Sequence, residues 1–141
     1  DEKRKKFPIS LWNENEKPKN QTIEQVWFSG VHSDVGGYYD ERGLSDITFA
    51  WMMDKAGRHG MILKENWKIN LKQDQTARLH NSRTGFWKLW KKVDREIHCG
   101  AKIHSSVIDR KNMDINYKPA NILECHNNIV SNNSYSITST A

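Results

Sequence analysis

The sequence predicts an α/β fold in a chain that carries only part of a domain. Three stretches point to it. Ile23 to Phe28 is β-branched and aromatic, the composition of a mostly buried strand. Ser29 to Gly43 reads as a loop holding four glycines, Gly30, Gly36, Gly37 and Gly43. Ser45 to His59 then reads as a strongly apolar helix. Hydrophobic residues are only 36% of the 141, and mean hydropathy is −0.85, yet aromatics reach 10%. Disordered chains lack such large apolar side chains. A chain poor in core but rich in rings suits a piece of a larger domain, and it is expected to begin inside a longer sequence.

The remaining elements are read in chain order. Residues 1–22 are polar and carry Pro8 and Pro18, so they read as a looped entry anchored by Phe7, Ile9, Leu11 and Trp12. Ser45 is placed to cap the apolar helix, and Asp46 suits the positive end of its dipole. Ile47, Phe49, Ala50, Trp51, Met52, Met53 and Ala56 cover more than one face, which predicts packing on both sides. Gly60 is placed to end the helix. Residues 61–81 show no firm period. Phe86, Trp87, Leu89, Trp90 and Val93 lie among Lys88, Lys91 and Lys92, the pattern of an amphipathic helix or a strand pair. Ile103 to Lys111 reads as a short helix with Ser105 or Ser106 near its start, and Tyr117 to Leu123 as an extended segment through Pro119. The organisation expected is a domain part over 1–125 and a flexible Asn/Ser/Thr-rich tail over 126–141.

Composition excludes some functions. No apolar run reaches 18 residues, so a transmembrane helix is excluded. Lys and Arg number 22 against 17 Asp and Glu, a net charge of +5. These charges are scattered, and nucleic acid is not expected as a partner. Cys99 and Cys125 lack zinc-ligand spacing and read as unpaired thiols in a reducing compartment.

The chemistry concentrates in Val26 to Tyr38. A buried strand delivers His32 onto the glycine-rich loop. An imidazole titrates near neutrality, so it can take a proton from a nucleophile and return it to a leaving group. Strand, histidine loop and helix is also how α/β-hydrolases deliver the last member of their triad. The plainer reading is a histidine whose ring fixes the turn. Asp34 has three readings: orienting a histidine, binding a metal with His32, or capping the loop by accepting backbone N–H groups. The histidines form no HxH or HExxH pair, so no metal or other cofactor is expected. No Gly-x-Ser-x-Gly occurs, so a serine nucleophile would have to lie upstream of residue 1.

Beyond pattern, the Gly-Val-His-Ser-Asp-Val-Gly-Gly run at 30–37 resembles a family of α/β-hydrolases. These are the domains similar to the catalytic domain of type VI secretion phospholipase effectors. Other landmarks agree in order: Asp1-Glu2-Lys3-Arg4 with Phe7, Gly43-Leu44-Ser45-Asp46-Ile47, His80-Asn81-Ser82 with Gly85-Phe86-Trp87, Ile103-His104-Ser105-Ser106-Val107 with Arg110, and Tyr117-Lys118-Pro119-Ala120-Asn121. The resemblance implies the C-terminal fragment of an α/β-hydrolase-like domain: last strand, catalytic-histidine loop and following helices. It implies ester hydrolysis by a Ser-Asp-His triad with His32 as general base, and Ser33, Asp34, Gly36, Gly37 and Tyr38 binding substrate or shaping the loop. The serine, the acid and the oxyanion hole would precede the chain, leaving the isolated fragment inactive. The implied partners are a lipid or ester substrate, a possible membrane surface and the missing N-terminal part of the domain. The implied location is cytoplasmic, with delivery out of the cell by a secretion system as the alternative. Three positions depart from the family pattern: Tyr38 in place of a third glycine, Asn81 in place of aspartate, and Lys3 in place of arginine.

Two rival readings are a non-catalytic module binding membranes or nucleic acid through the Trp/Lys surface, and a degenerate hydrolase fold kept for structure. His80 and His104 read as pocket-lining or structural residues, and Arg110 as a partner for Asp109.

Overall fold

Ile103, a β-branched residue with no exposed surface, sits at the centre of the sheet, and the elements are arranged around it. A computed structural model describes residues 1–132. Strand β1 is Val26–Trp27, helix α1 is His32–Gly36, and helix α2 is Gly43–Arg58. A 3-10 helix follows at Gly85–Leu89. Strand β2 is Lys102–His104, helix α3 is Ser105–Met113, and strand β3 is Ile129–Val130. The three strands are parallel in the order β1-β2-β3, with Trp27 opposite Ile103 and His104 opposite Val130. A parallel sheet needs cover on its faces. Ile103, Val107 and Tyr117 form the core, with Trp27, Leu79, Ile97, Ile108 and Ile122 packed against it. The outer edge of β1 has no partner strand among the described residues.

Several expectations are corrected. The strand expected over Ile23 to Phe28 is reduced to two residues. The glycine-rich stretch is not a continuous loop: His32 opens the short helix α1, which Gly37 closes at φ +82°. Arg42, not Ser45, precedes the first turn of α2, and Ser45 lies inside the helix, its hydroxyl donating to the Arg42 carbonyl. Helix α2 is not packed all round. Leu44, Ile47, Ala50 and Trp51 are buried, whereas Phe49 and Met52 are about half exposed. The helix expected from Ile103 begins two residues later because Ile103 and His104 pair in the sheet. Of the expected anchors, Ile9, Leu11 and Trp12 are exposed, and only Phe7 packs inward. Arg110 is buried and pairs with no surface acid at Asp109; it donates to the carbonyls of Gln75 and Ala77.

The expected tail is ordered in part. His126 is buried between Leu123 and the Ile97 carbonyl, and Ile129–Val130 completes the sheet. The rest of that expectation, 133–141, lies outside the described residues. Cys99 and Cys125 are joined in a disulfide, which corrects the reading of two free thiols. Spacing alone cannot reveal a bridge that forms only once two turns are brought together.

His104 links sheet and helix. Its Nδ1 accepts the backbone N–H of Ser106, capping α3, while Nε2 faces the Asn132 carboxamide oxygen and the ring stacks on Phe28. Burial lowers its pKa from the ordinary 6.5, partly opposed by the Asn132 hydrogen bond and the Asp109 charge. A proton on Nδ1 would also abolish the cap. The unfolded chain therefore takes up this proton first as pH falls, so stability is full above about 6.5 and declines below it. Melting temperatures across pH 5–7.5 are expected to show this slope in the native chain. His104→Asn, which keeps a capping oxygen without a titrating ring, is expected to flatten it.

Candidate active site

His32 leaves β1 through the turn Ser29-Gly30-Val31, and two buried carboxylates shape its surroundings. Asp34 is the first, and its Oδ2 accepts the Val31 N–H at 3.0 Å and the His80 N–H at 3.3 Å. Its Oδ1 lies 2.6 Å from His80 Nδ1. Two of the three readings of Asp34 are thus combined: it caps the turn and orients a histidine. That histidine is His80, not His32. Gly30 makes this packing possible. Its φ is +118°, and a Cβ there would lie 2.6 Å from the Asp34 Cβ. His80 is also stacked on Tyr39 at 3.6 Å between ring centres, with Nε2 3.4 Å from Glu41.

The second carboxylate, Glu2, is the residue the sequence reading missed. Four donor groups and one imidazole nitrogen converge on it. Oε1 accepts the Arg4 backbone N–H at 2.9 Å, Arg4 Nε–H at 3.0 Å and the Ser82 hydroxyl at 2.7 Å. Oε2 accepts Arg4 Nη2–H at 3.0 Å and faces His32 Nδ1 at 2.9 Å. Burial by itself would raise the Glu2 carboxyl. The hydrogen bonds from Arg4, His32 and Ser82 outweigh it and hold the group well below the usual carboxylate range. The signal available in sequence was the Asp1-to-Phe7 landmark itself, whose contacts are 28–30 residues away and obey no local period.

The entry segment is fastened from outside. Arg95 donates to the carbonyls of Arg4 and Phe7, and Val93 N–H donates to the Lys3 carbonyl. Phe7 then stacks on the His32 ring at 5.3 Å, and the Arg4 guanidinium lies 3.8 Å from the Phe7 centroid. His32 is therefore held on one face by Phe7 and at Nδ1 by Glu2. Its side chain is 53% exposed. Nε2 has the Ser33 hydroxyl 3.1 Å away. The ring lines a cleft of about 450 Å³ together with apolar residues such as Phe7, Ile9, Val26, Phe28 and Val35 and with the charged Asp1, Glu2 and Arg95.

Not every expected site residue gathers here. Gly36 lines the cleft, but a Cβ there would meet nothing within 4 Å. Gly37 ends α1, and Tyr38 points to solvent against Tyr39. Of the departures from the family pattern, Lys3 pairs with Asp94 on the surface rather than entering the site.

Comparison with known proteins picks out this same region. Residues 1–55 match the family model described as T6SS, Phospholipase effector Tle1-like, catalytic domain. The match covers Glu2, Arg4, His32 and Asp34, and at family level it supports a phospholipase-like hydrolase. No curated protein and no solved structure matches the chain.

The glycines give a direct check of this packing. Gly30→Ala is expected to cost about 2–4 kcal/mol, from the positive φ and the contact with Asp34. Gly36→Ala, in open space within α1, is expected to be neutral or to stabilise by up to about 1 kcal/mol. Denaturant melts of the two variants measure the difference.

Proposed function

We propose that the chain is the C-terminal part of an α/β-hydrolase domain that cleaves carboxylic esters in lipids. His32 is the general base to a serine supplied by sequence outside these residues. The observation that carries this reading is a half-exposed imidazole with Nδ1 against a buried carboxylate, lining a largely apolar cleft. The serine Oγ attacks the acyl carbonyl as its proton passes to Nε2. When the tetrahedral intermediate collapses, Nε2 returns the proton to the departing alkoxide, and water repeats the cycle on the acyl-enzyme. The Phe7-to-Val35 cleft is the place for an acyl chain. The family match over residues 1–55 supports the hydrolase class.

A second reading rests on one contact. Ser33 Oγ, His32 Nε2, His32 Nδ1 and Glu2 Oε2 fall in the order of a serine–histidine–acid relay. On that reading Ser33 is the nucleophile and the chain is self-sufficient. It is less favoured, because Ser33 sits in the first turn of α1 without the glycine flanks that let an acyl group approach.

The 3-10 helix adds a surface for the substrate's own medium. Trp87 is turned inward against Phe7, 5.3 Å between rings, whereas Phe86 and Leu89 are exposed beside Lys88, Lys91 and Lys92. Apolar tips among lysines suit an anionic lipid surface, one ring away from His32.

Hydrolysis of a lipid ester by a protein extended toward its N-terminus is expected to fall by at least about 10³-fold in His32→Ala. Unchanged hydrolysis in that variant would overturn the reading. Hydrolysis by the 141-residue chain alone, lost in Ser33→Ala, would favour the second. Co-sedimentation with phosphatidylglycerol vesicles is expected to weaken by about tenfold or more in Phe86→Ser/Leu89→Ser, given about 1–2 kcal/mol for each buried side chain.

A further inference from the structure

Basic charges that are scattered in the sequence are gathered by the fold into one place. A cavity of about 520 Å³ lies between the entry segment, residues 79–83, the 3-10 helix and the turn at 116–119. Five cationic side chains line it: Lys3, Arg83, Lys88, Lys92 and Lys118. The one carboxylate in its wall is Asp1, and that group is already engaged. Its Oδ2 accepts the Gly30 N–H at 2.7 Å and the Tyr117 hydroxyl at 3.1 Å. The cationic excess of this single cavity nearly equals the +5 of the whole chain.

We propose that the cavity binds a doubly charged phosphate group, the phosphate of a monoester. The proposal goes beyond the reading of His32 and does not rest on it. Among lining residues the cavity shares only Asp1 with the apolar cleft.

Three features distinguish this cavity from an ordinary solvated lysine face. Its cations are largely unspent. Lys88, Lys92 and Lys118 form no ion pair among the described residues, and Lys3 has only Asp94, at 3.6 Å, with both side chains about half exposed. The cations are also mounted on fixed supports. Arg83 donates from Nε and Nη2 to the carbonyls of Lys88 and Trp90, which holds the guanidinium across the 3-10 helix and leaves Nη1 without an acceptor among the described residues. Lys92 pairs with Arg4 in an isolated antiparallel bridge, and Lys118 follows Tyr117, which is buried in the core. Less ordering is then lost when an anion arrives. Lastly, a neutral donor is at hand. Asn81 accepts the Arg83 N–H through Oδ1, so its amide nitrogen remains to donate.

A carboxylate ligand would be matched by one or two of these cations. A phosphate monoester carries nearly two charges at neutral pH and three acceptor oxygens, which suits several lysines and a planar guanidinium together. A nucleic acid would find no place to stack its bases. Tyr117 is buried, and His80 is already stacked on Tyr39.

Two sources carry such a phosphate: a soluble ester and the headgroup of phosphatidic acid. Calorimetric titration of the chain with glycerol 3-phosphate at about pH 7.5, above the second phosphate pKa, tests the first. Flotation with phosphatidylcholine vesicles carrying phosphatidic acid tests the second, against phosphatidylglycerol vesicles of equal surface charge. Lys92→Gln/Lys118→Gln removes two exposed cations from the wall, and neither side chain holds the fold through an ion pair. Lys91→Gln/Lys111→Gln removes the same charge outside the cavity. Saturable binding of the soluble ester, or a preference for phosphatidic acid over phosphatidylglycerol, is expected in the native chain. Either is expected to weaken by about tenfold or more in the first variant and by less than about threefold in the second. Binding of the soluble ester assigns a free phosphate compound, and preference among vesicles alone assigns the headgroup. Failure of the soluble ester to bind together with equal behaviour of the two kinds of vesicle would overturn the proposal. So would an equal effect of the two variants. None of these measurements needs turnover, so they stand or fall apart from the loss of hydrolysis in His32→Ala.

Discussion

A carboxylate withdrawn from water has to be given donors, and the donors given to Glu2 are what assemble the site. Arg4 closes on it from its own segment with both side-chain nitrogens and its backbone, and Ser82 reaches it from eighty residues away. The fifth polar contact is with the His32 Nδ1. Removing the carboxylate would strand a buried guanidinium, which destabilises more than losing the pair together. The same group therefore holds the entry segment in the fold and meets the edge of the imidazole. Because the entry segment also carries Phe7, one anchor fixes both the edge and the face of the ring.

Asp34 is a second centre of the same kind, turned the other way. It draws Val31 and His80 together, so that the start of α1 is tied to the chain at His80. Two histidines and two acids are thus paired separately, Glu2 with His32 and Asp34 with His80. Only the first pair borders the apolar cleft. The nearness of His32 and Asp34 in sequence suggested a joint role, but α1 turns their side chains to different partners.

The elements carried by a continuous local signal were legible. The apolar run of α2 announces a helix, and the strand feeding His32 is marked by its β-branched and aromatic composition, although its paired length is only two residues. The split of Ile103 and His104 from α3 was not legible. Their pairing depends on β1 and β3, which lie far off in the chain, and tertiary pairing overrode a helical reading. The hiding of Arg110 was visible only in part: Asp114 lies four residues on and pairs with it, but its hydrogen-bond acceptors are the backbone carbonyls of Gln75 and Ala77, which no sequence marks. In the site, the His32 motif was legible as an imidazole carried from a strand into a glycine-rich turn. Glu2 was legible only as part of a family landmark, since a contact spanning thirty residues leaves no periodic trace.

The bridge between Cys99 and Cys125 joins the turn entering β2 to the turn entering β3, across 26 positions of chain. Closing a loop of that length restricts the unfolded chain by an amount worth about 3–4 kcal/mol in the entropic account. Strand β3 has only two paired residues of its own, and the bridge supplements that short ladder. Reduction of that bridge would remove the link and loosen the β3 border, while the opposite border, where His32 sits, has no cysteine. The molecule is thus asymmetric toward its redox surroundings: one margin answers to them and the other does not.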